Sequence, residues 1–191
     1  MIPKSKQGNK LKITVLAGGI SHERDISLKS GRRVADALTD FGAEVVIREP
    51  DNELLSNIKK DKPDVIFPCL HGASGEDGAL RDVLALSGVP FVGATASGSR
   101  LAWDKSIAKV LVSRDGIQTP ASITLPKDTF RELDAEGVLK AVTGSISLPV
   151  VVKPARSGSA QGVSIVKTQN ELNRAMIDAY VYCDVAIIEK Y

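Results

Sequence analysis

Between residues 13 and 93, short apolar runs alternate with stretches whose apolar residues recur every three or four positions. Ile13-Thr14-Val15-Leu16-Ala17 ends at Gly18-Gly19, and Val45-Val46-Ile47, Val65-Ile66-Phe67 with Cys69-Leu70, and the segment 89–93 repeat the pattern. Runs this short and continuous suit buried strands of a parallel sheet. The intervening residues have the period of amphipathic helices: Leu28, Gly31, Val34, Ala35, Leu38 and Phe41, then Leu54, Leu55 and Ile58, then Leu80, Val83, Leu84 and Leu86. Strand and helix in this alternation build right-handed βαβ units with helices on both faces of the sheet. The pattern predicts four strands and an α/β domain over 12–104, preceded by a polar, lysine-rich tail over 1–11 that is expected to be disordered.

A single helix is predicted over 97–112, and after Arg114-Asp115-Gly116 the character changes. Strands are predicted at 121–125, 149–152 and 163–166, the last two as a hairpin. Helices are predicted at 129–142 and around Leu172, Ala175, Met176 and Ala179, and a strand opens at Ala186-Ile187-Ile188. This second domain, 105–191, has fewer helices per strand and reads as α+β. At 191 residues the chain fits one domain plus part of another, on a soft prior of about 150 residues per domain.

Composition excludes several function classes. Lys and Arg number 25 against 23 Asp and Glu, and aromatics are 4%, so both the electrostatic footprint and the stacking platforms of a nucleic-acid binder are lacking. Cys69 and Cys183 follow no zinc-finger or C-x-x-C spacing and make no disulfide framework. No continuous apolar run approaches the roughly 18 residues of a membrane span. A cytoplasmic protein with small-molecule partners is expected.

Three loops carry residues capable of chemistry. Gly18-Gly19-Ile20-Ser21-His22-Glu23-Arg24-Asp25-Ile26-Ser27 follows the first strand, at the carboxyl edge where open α/β sheets bind ligands. It is either a site or a plain strand-to-helix turn capped by Ser27 or Asp25, and it lacks the G-x-G-x-x-G dinucleotide fingerprint. His71-Gly72-Ala73-Ser74-Gly75-Glu76-Asp77-Gly78 follows the third strand, so an imidazole and two carboxylates reach the same edge as Glu23. Alone, His71 reads as structural and Glu76-Asp77 as complements to a helix dipole; convergence with the first loop favours a site. Lys153-Pro154-Ala155-Arg156-Ser157-Gly158-Ser159-Ala160-Gln161-Gly162 joins two apolar strands. Its backbone N–H groups and lysine suit a phosphate, although it lacks the Walker A order and a flexible hairpin tip is the alternative. Asp104-Lys105 with Lys109, and Ile187-Ile188-Glu189-Lys190-Tyr191, read by themselves as a solvated helix face and an ordinary edge strand.

In order and spacing these five stretches resemble the D-alanine–D-alanine ligase family of the ATP-grasp superfamily, from residue 12 to the last. The resemblance rests on Gly18-Gly19-x-Ser21-x-Glu23, on Ser27-Leu28-x-Ser30-Gly31 and on His71-Gly72-x-x-Gly75-Glu76-Asp77-Gly78; Asp104-Lys105 and Lys153-Pro154 are shared more widely among ATP-grasp enzymes. It implies a Rossmann-like N-terminal domain with a parallel sheet, the region that precedes an ATP-grasp domain, followed by an incomplete α+β ATP-grasp domain. It also implies the reaction: ATP phosphorylates the carboxylate of one D-alanine, and the amine of a second displaces phosphate to give D-Ala-D-Ala for peptidoglycan precursors.

By the same resemblance Ser21, Glu23 and His71 would bind the first D-alanine, Glu23 taking its ammonium and His71 facing its carboxylate. Ser159 would share a hydrogen-bonding group with Glu23, the two acting as catalytic residues. Lys105 and Lys153 would take the ATP phosphates, Ser157, Gly158, Ser159 and Gly162 would form the cover over them, and Glu189, Lys190 and Tyr191 would open the adenine-binding strand. Magnesium or manganese ions belong to the family's reaction, and a homodimer through the N-terminal domain is implied.

Two departures stand out. Ala160 occupies a position where the family usually has a second serine, and Arg81-Asp82 replaces a Gln-Gly pair. The family's metal-binding carboxylates and oxyanion arginine fall beyond the position of Tyr191, so the 191 residues alone are expected to hold no metal and to be inactive. Ligases that use D-lactate or D-serine, and a non-catalytic remnant of the family, remain alternatives.

Overall fold

Strand β1 (Lys12–Leu16) is buried on both faces beyond Lys12, as befits the centre of a sheet rather than an edge. It pairs in parallel with β2 (Glu44–Arg48) and β3 (Val65–Pro68), giving the order β2-β1-β3 with Lys12 opposite Glu44 and Ile13 opposite Val65. Between β1 and β2 runs α1 (Arg24–Asp40), between β2 and β3 runs α2 (Leu54–Asp61), and after β3 come a short turn α3 (Ala73–Glu76), α4 (Ala79–Leu86) and α5 (Ala96–Trp103). Ile13, Val15 and Ala17 pack with Ala35, Leu28, Val34 and Leu38 of α1. Leu16 points the other way, into a cluster with Leu54 and Ile58 of α2 and Leu80 and Leu84 of α4. The two-residue alternation of one strand thus places helices on both faces, as the pattern predicts.

Helix α1 comes unusually close to β1. A Cβ on Gly31 would collide with the Ala17 side chain, so the helix settles only where the side chain is a hydrogen atom.

The structure, a computed structural model, describes residues 10–191, and residues 1–9 of the expected tail lie outside this range. Leu11 is not tail-like: it packs against the β1–α1 cluster. The chain divides into two compact units at Arg100/Leu101, inside α5.

Three expectations of local structure are corrected. The fourth strand, 89–93, shrinks to one parallel bridge between Ile66 and Phe91, held by Ile66 N–H to the Pro90 carbonyl and Val92 N–H to the Ile66 carbonyl, both at 2.9 Å. Pro90 has no N–H to donate and Gly93 turns the chain at φ +112°, so the ladder stops. The helix expected over 97–112 is two helices, α5 and α6 (Lys105–Arg114), because Asp104 adopts extended backbone and accepts from the N–H groups of Ser106 at 3.0 Å and Ile107 at 3.3 Å. Likewise 129–142 splits into α7 (Lys127–Glu132) and α8 (Ala135–Ser145), with Asp134 at φ +62° capping α8 through Gly137 N–H.

The second unit is built on an antiparallel sheet in the order β4-β7-β5-β6, formed by β4 (Ser122–Pro126), β5 (Val150–Pro154), β6 (Ser164–Val166) and β7 (Val185–Lys190). Val150, Val152, Ala186 and Ile188 face a core completed by α7, α8 and α9 (Gln169–Tyr180). Helix α9 carries a capping box between Thr168 and Glu171. Because side chains alternate along a strand, Lys153 on β5 and Glu189 on β7 both leave the sheet on the face opposite that core. That alternation sets the stage for the cluster described next.

Candidate functional site

In the first unit the two predicted loops meet. Ser21 donates its hydroxyl to the His71 carbonyl at 2.8 Å and accepts from the Glu23 N–H at 3.2 Å, so one serine ties the loop after β1 to the loop after β3. Ser30, one turn along α1, brings its Oγ within 3.2 Å of His71 Nε2 and so orients the imidazole. Gly72, at φ +81°, lies directly against these groups: a Cβ there would come within 3.0 Å of Ser21 Cβ and 3.1 Å of Glu23 Oε2. Glu23 is only 7% exposed. Ser21, Glu23 and His71 are thus neighbours, with a carboxylate and an imidazole at the carboxyl edge of the sheet.

Ser27 is not the helix cap that its position invites, since α1 begins at Arg24. Fully buried, it donates to the Cys69 carbonyl and accepts from the Gly18 N–H, both at 2.8 Å, and so staples both loops from beneath. Ser27→Ala would leave a buried donor and a buried acceptor unpaired. It is expected to lower unfolding stability by about 1–3 kcal/mol, measured as a reduced urea midpoint with unchanged slope.

In the second unit, α6 and the loop 155–163 are moored together. Lys105 donates its ammonium to the Ser157 carbonyl at 2.8 Å and its N–H to the Ala155 carbonyl at 2.9 Å, while Arg156 lies 3.6 Å from the Asp104 carboxylate. Within the loop, Gln161 N–H reaches the Gly158 carbonyl and Val163 N–H the Ala160 carbonyl. Ser159, Ala160 and Gly162 all have left-handed backbone, at φ +48°, +55° and +69°. Gly162 is required as glycine: a Cβ would come within 2.7 Å of the Tyr182 ring and 2.9 Å of Pro154.

Lys153 and Glu189 form an ion pair, and Lys109 from α6 lies 3.1 Å from the other carboxylate oxygen of Glu189. Lys109 is the member that sequence reading missed. It looked like part of a solvated helix face, yet its side chain is 14% exposed. Lys190 and Tyr191 finish β7 with backbone bonds from Lys190 N–H to the Ala121 carbonyl and Tyr191 N–H to the Pro149 carbonyl, and the Tyr191 side chain is exposed. Glu23 belongs to the first unit and Ser159 to the second.

Burial pushes the Glu189 carboxyl up, but hydrogen bonds and charge from Lys153 and Lys109 outweigh it and hold the group below its ordinary value. A depressed carboxylate pKa stabilises the fold fully above the unfolded value of about 4.3 and loses that contribution as pH falls through the lower folded value. The stability gap between the protein and its Glu189→Gln variant is therefore expected to be widest near neutral pH and to close on acidification below that point, read from urea midpoints across pH.

Among the described residues no group of three or more His, Cys, Asp or Glu is placed to hold a metal ion, and no helix is long and apolar enough to cross a membrane.

Residues 46–94 match the family model described as D-ala D-ala ligase N-terminus, and residues 111–191 the one described as D-ala D-ala ligase C-terminus. The chain is 37% identical over 172 residues to D-alanine–D-alanine ligase of Moorella thermoacetica, an alignment covering 90% of the chain and 55% of that protein. To its counterpart in Syntrophotalea carbinolica it is 34% identical over 181 residues, covering 94% and 56%. The chain thus spans about half the length of the curated relatives it matches. Among solved structures, the ligase of Bacillus anthracis superposes with TM-score 0.78 at 31% identity over 95% of this chain and 57% of that one. The same enzyme complexed with ATP gives 0.75 at 30%, covering 95% and 59%. The VanG D-Ala:D-Ser ligase of Enterococcus faecalis gives 0.76 at 27%, covering 96% and 63%.

Proposed function

Since the chain belongs to the D-alanine–D-alanine ligase family, we propose that it supplies the first-substrate and nucleotide-phosphate residues of an ADP-forming ligase that makes D-Ala-D-Ala for peptidoglycan precursors. A carboxylate oxygen of the first D-alanine attacks the γ-phosphorus of ATP, and ADP leaves. The amine of the second D-alanine then attacks the acyl carbon, and inorganic phosphate departs as the C–O bond breaks. Glu23 holds the ammonium of the first D-alanine, with Ser21 setting the loop and His71 facing the substrate carboxylate. Lys153 and Lys105 screen the crowded phosphate oxygens, and the loop 157–162, Ser159 included, covers them with backbone donors. Glu189, Lys190 and Tyr191 border the nucleotide. Family members use magnesium for phosphoryl transfer; among the described residues no group of three or more His, Cys, Asp or Glu is placed to hold it.

The observation that carries this proposal is the meeting of Ser21, Glu23 and His71 at one sheet edge, bonded through Ser21. A cytoplasmic location fits the free cysteines. Pairing as a homodimer through the first unit is supported by the apolar side chains exposed there, Phe41 at the end of α1 and Val46 and Ile47 on the edge strand β2. Likeness to a D-Ala:D-Ser ligase keeps D-serine as the second possible acceptor.

Mass spectrometry of products made by the protein carrying this sequence from ATP with D-alanine, D-serine and D-lactate tests the assignment. Expected is D-Ala-D-Ala with one ADP per dipeptide. D-Ala-D-Ser alone would move the protein to the variant class, and AMP formation or no condensation product would overturn the proposal.

A further inference from the structure

We propose that Lys109 is a positioning residue for the nucleotide site, holding Glu189 paired and in place while Lys153 leaves that carboxylate for the phosphates of ATP. The inference rests on the assignment of Lys153 to those phosphates. The two oxygens of Glu189 are divided between two lysines: Lys153 meets Oε1 and Lys109 meets Oε2. The two ammonium groups are placed very differently.

Lys109 donates to Thr119 Oγ1 at 2.7 Å, to the Pro120 carbonyl at 2.8 Å and to Glu189 at 3.1 Å. An ammonium has three donors, so Lys109 is saturated by the protein and has nothing to offer a ligand without breaking a bond. It also links α6 to the segment before β4 and to β7, so its position is set by three parts of the unit. Lys153 is directed at Glu189 and keeps donors for a second acceptor. It is therefore the lysine able to turn to an anion.

Turning has a cost. The Glu189 side chain is 12% exposed, and a carboxylate left at that depth without a cation is strongly unfavourable. Lys109 removes the penalty, because Glu189 remains paired through Oε2 after Oε1 is vacated. Without Lys109, each nucleotide that draws Lys153 away must strand the carboxylate, and Lys153 is held back.

The test measures Kd for ATP and for AMP by calorimetry on the protein carrying this sequence and on the variants Lys109→Met, Lys109→Arg, Lys153→Met and Lys109→Met/Glu189→Gln. AMP lacks the phosphates in question, so the ratio of ATP to AMP affinity isolates the lysine that reaches them, and a general loosening of the fold would move both nucleotides together. Lys109→Met is expected to lower that ratio by on the order of tenfold or more, the scale of one charged hydrogen bond. Lys109→Arg should restore it in part, and so should Glu189→Gln in the Lys109→Met background, where no charge is left to strand. Should Lys109→Met not fold, Lys109→Gln is read in the same way. An unchanged ratio in the Lys109 variant, with a collapsed ratio in Lys153→Met, overturns the positioning role alone. An unchanged ratio in Lys153→Met overturns the phosphate assignment, and the inference with it.

Discussion

Glu23→Gln is expected to raise the KM for the first D-alanine by on the order of 10²–10³, the scale of removing one partner from a buried charge pair. The substrate ammonium keeps its own bonds and charge through both steps, so it is held about equally in the ground and transition states; the loss belongs in KM, with kcat reduced much less. The KM for the second D-alanine should move little, because its amine must be free to attack. Glutamine keeps the shape of the side chain beside Gly72 and Ser21, and melting curves separate a binding loss from a folding loss. Initial rates fitted with separate constants for the two alanine sites read the effect. A first-site KM within threefold of the parent would show that Glu23 does not carry the ammonium.

The second large effect is expected at Lys153. Lys153→Met should lower kcat/KM for ATP by on the order of 10²–10³, as expected when a positive charge is withdrawn from a transferring phosphoryl group. Stability should suffer far less, since Glu189 keeps its pairing to Lys109 at 3.1 Å. Loss of nucleotide use with a nearly unchanged melting temperature is thus the signature expected of a lysine that serves the ligand. A fall in kcat/KM of less than tenfold, or a collapse of the fold at equal rank with it, would assign Lys153 to the scaffold instead.

Much of the architecture was legible because it obeys short local patterns. The continuous apolar run of β1 and the helical spacing in α1, α2 and α4 are local facts, and they place helices on both faces of the first sheet without knowledge of any distant contact. The meeting of the loops at Glu23 and His71 was legible too, since parallel strands bring their carboxyl ends to one edge. Three local misreadings had signals in the sequence that periodicity overrode. Pro90 withdraws a donor from the expected fourth strand, and Asp104 and Asp134 are capping residues inside apparently continuous helical patterns.

What stayed hidden depends on tertiary distance. Lys109 and Glu189 are 80 positions apart, and a lysine on an amphipathic helix looks solvated until the sheet beneath it is known. Ser30 reaches His71 across 41 positions, and Ser27 looked like a cap because the start of α1 was placed one turn late. In each case the residue type carried the right chemistry, and only the fold revealed its partner.

The most direct test of the account follows oxygen rather than rate. If the carboxylate of the first D-alanine attacks ATP, one of its oxygens becomes the bridge of the acyl phosphate and leaves with phosphorus when the second amine attacks. D-alanine labelled with oxygen-18 in its carboxylate, turned over with unlabelled ATP by the protein carrying this sequence, should release inorganic phosphate bearing one labelled oxygen for each dipeptide formed, seen by phosphorus NMR or mass spectrometry. Dipeptide formed with unlabelled phosphate, or with the label in AMP, would contradict activation through D-alanyl phosphate and the role given to every residue around it.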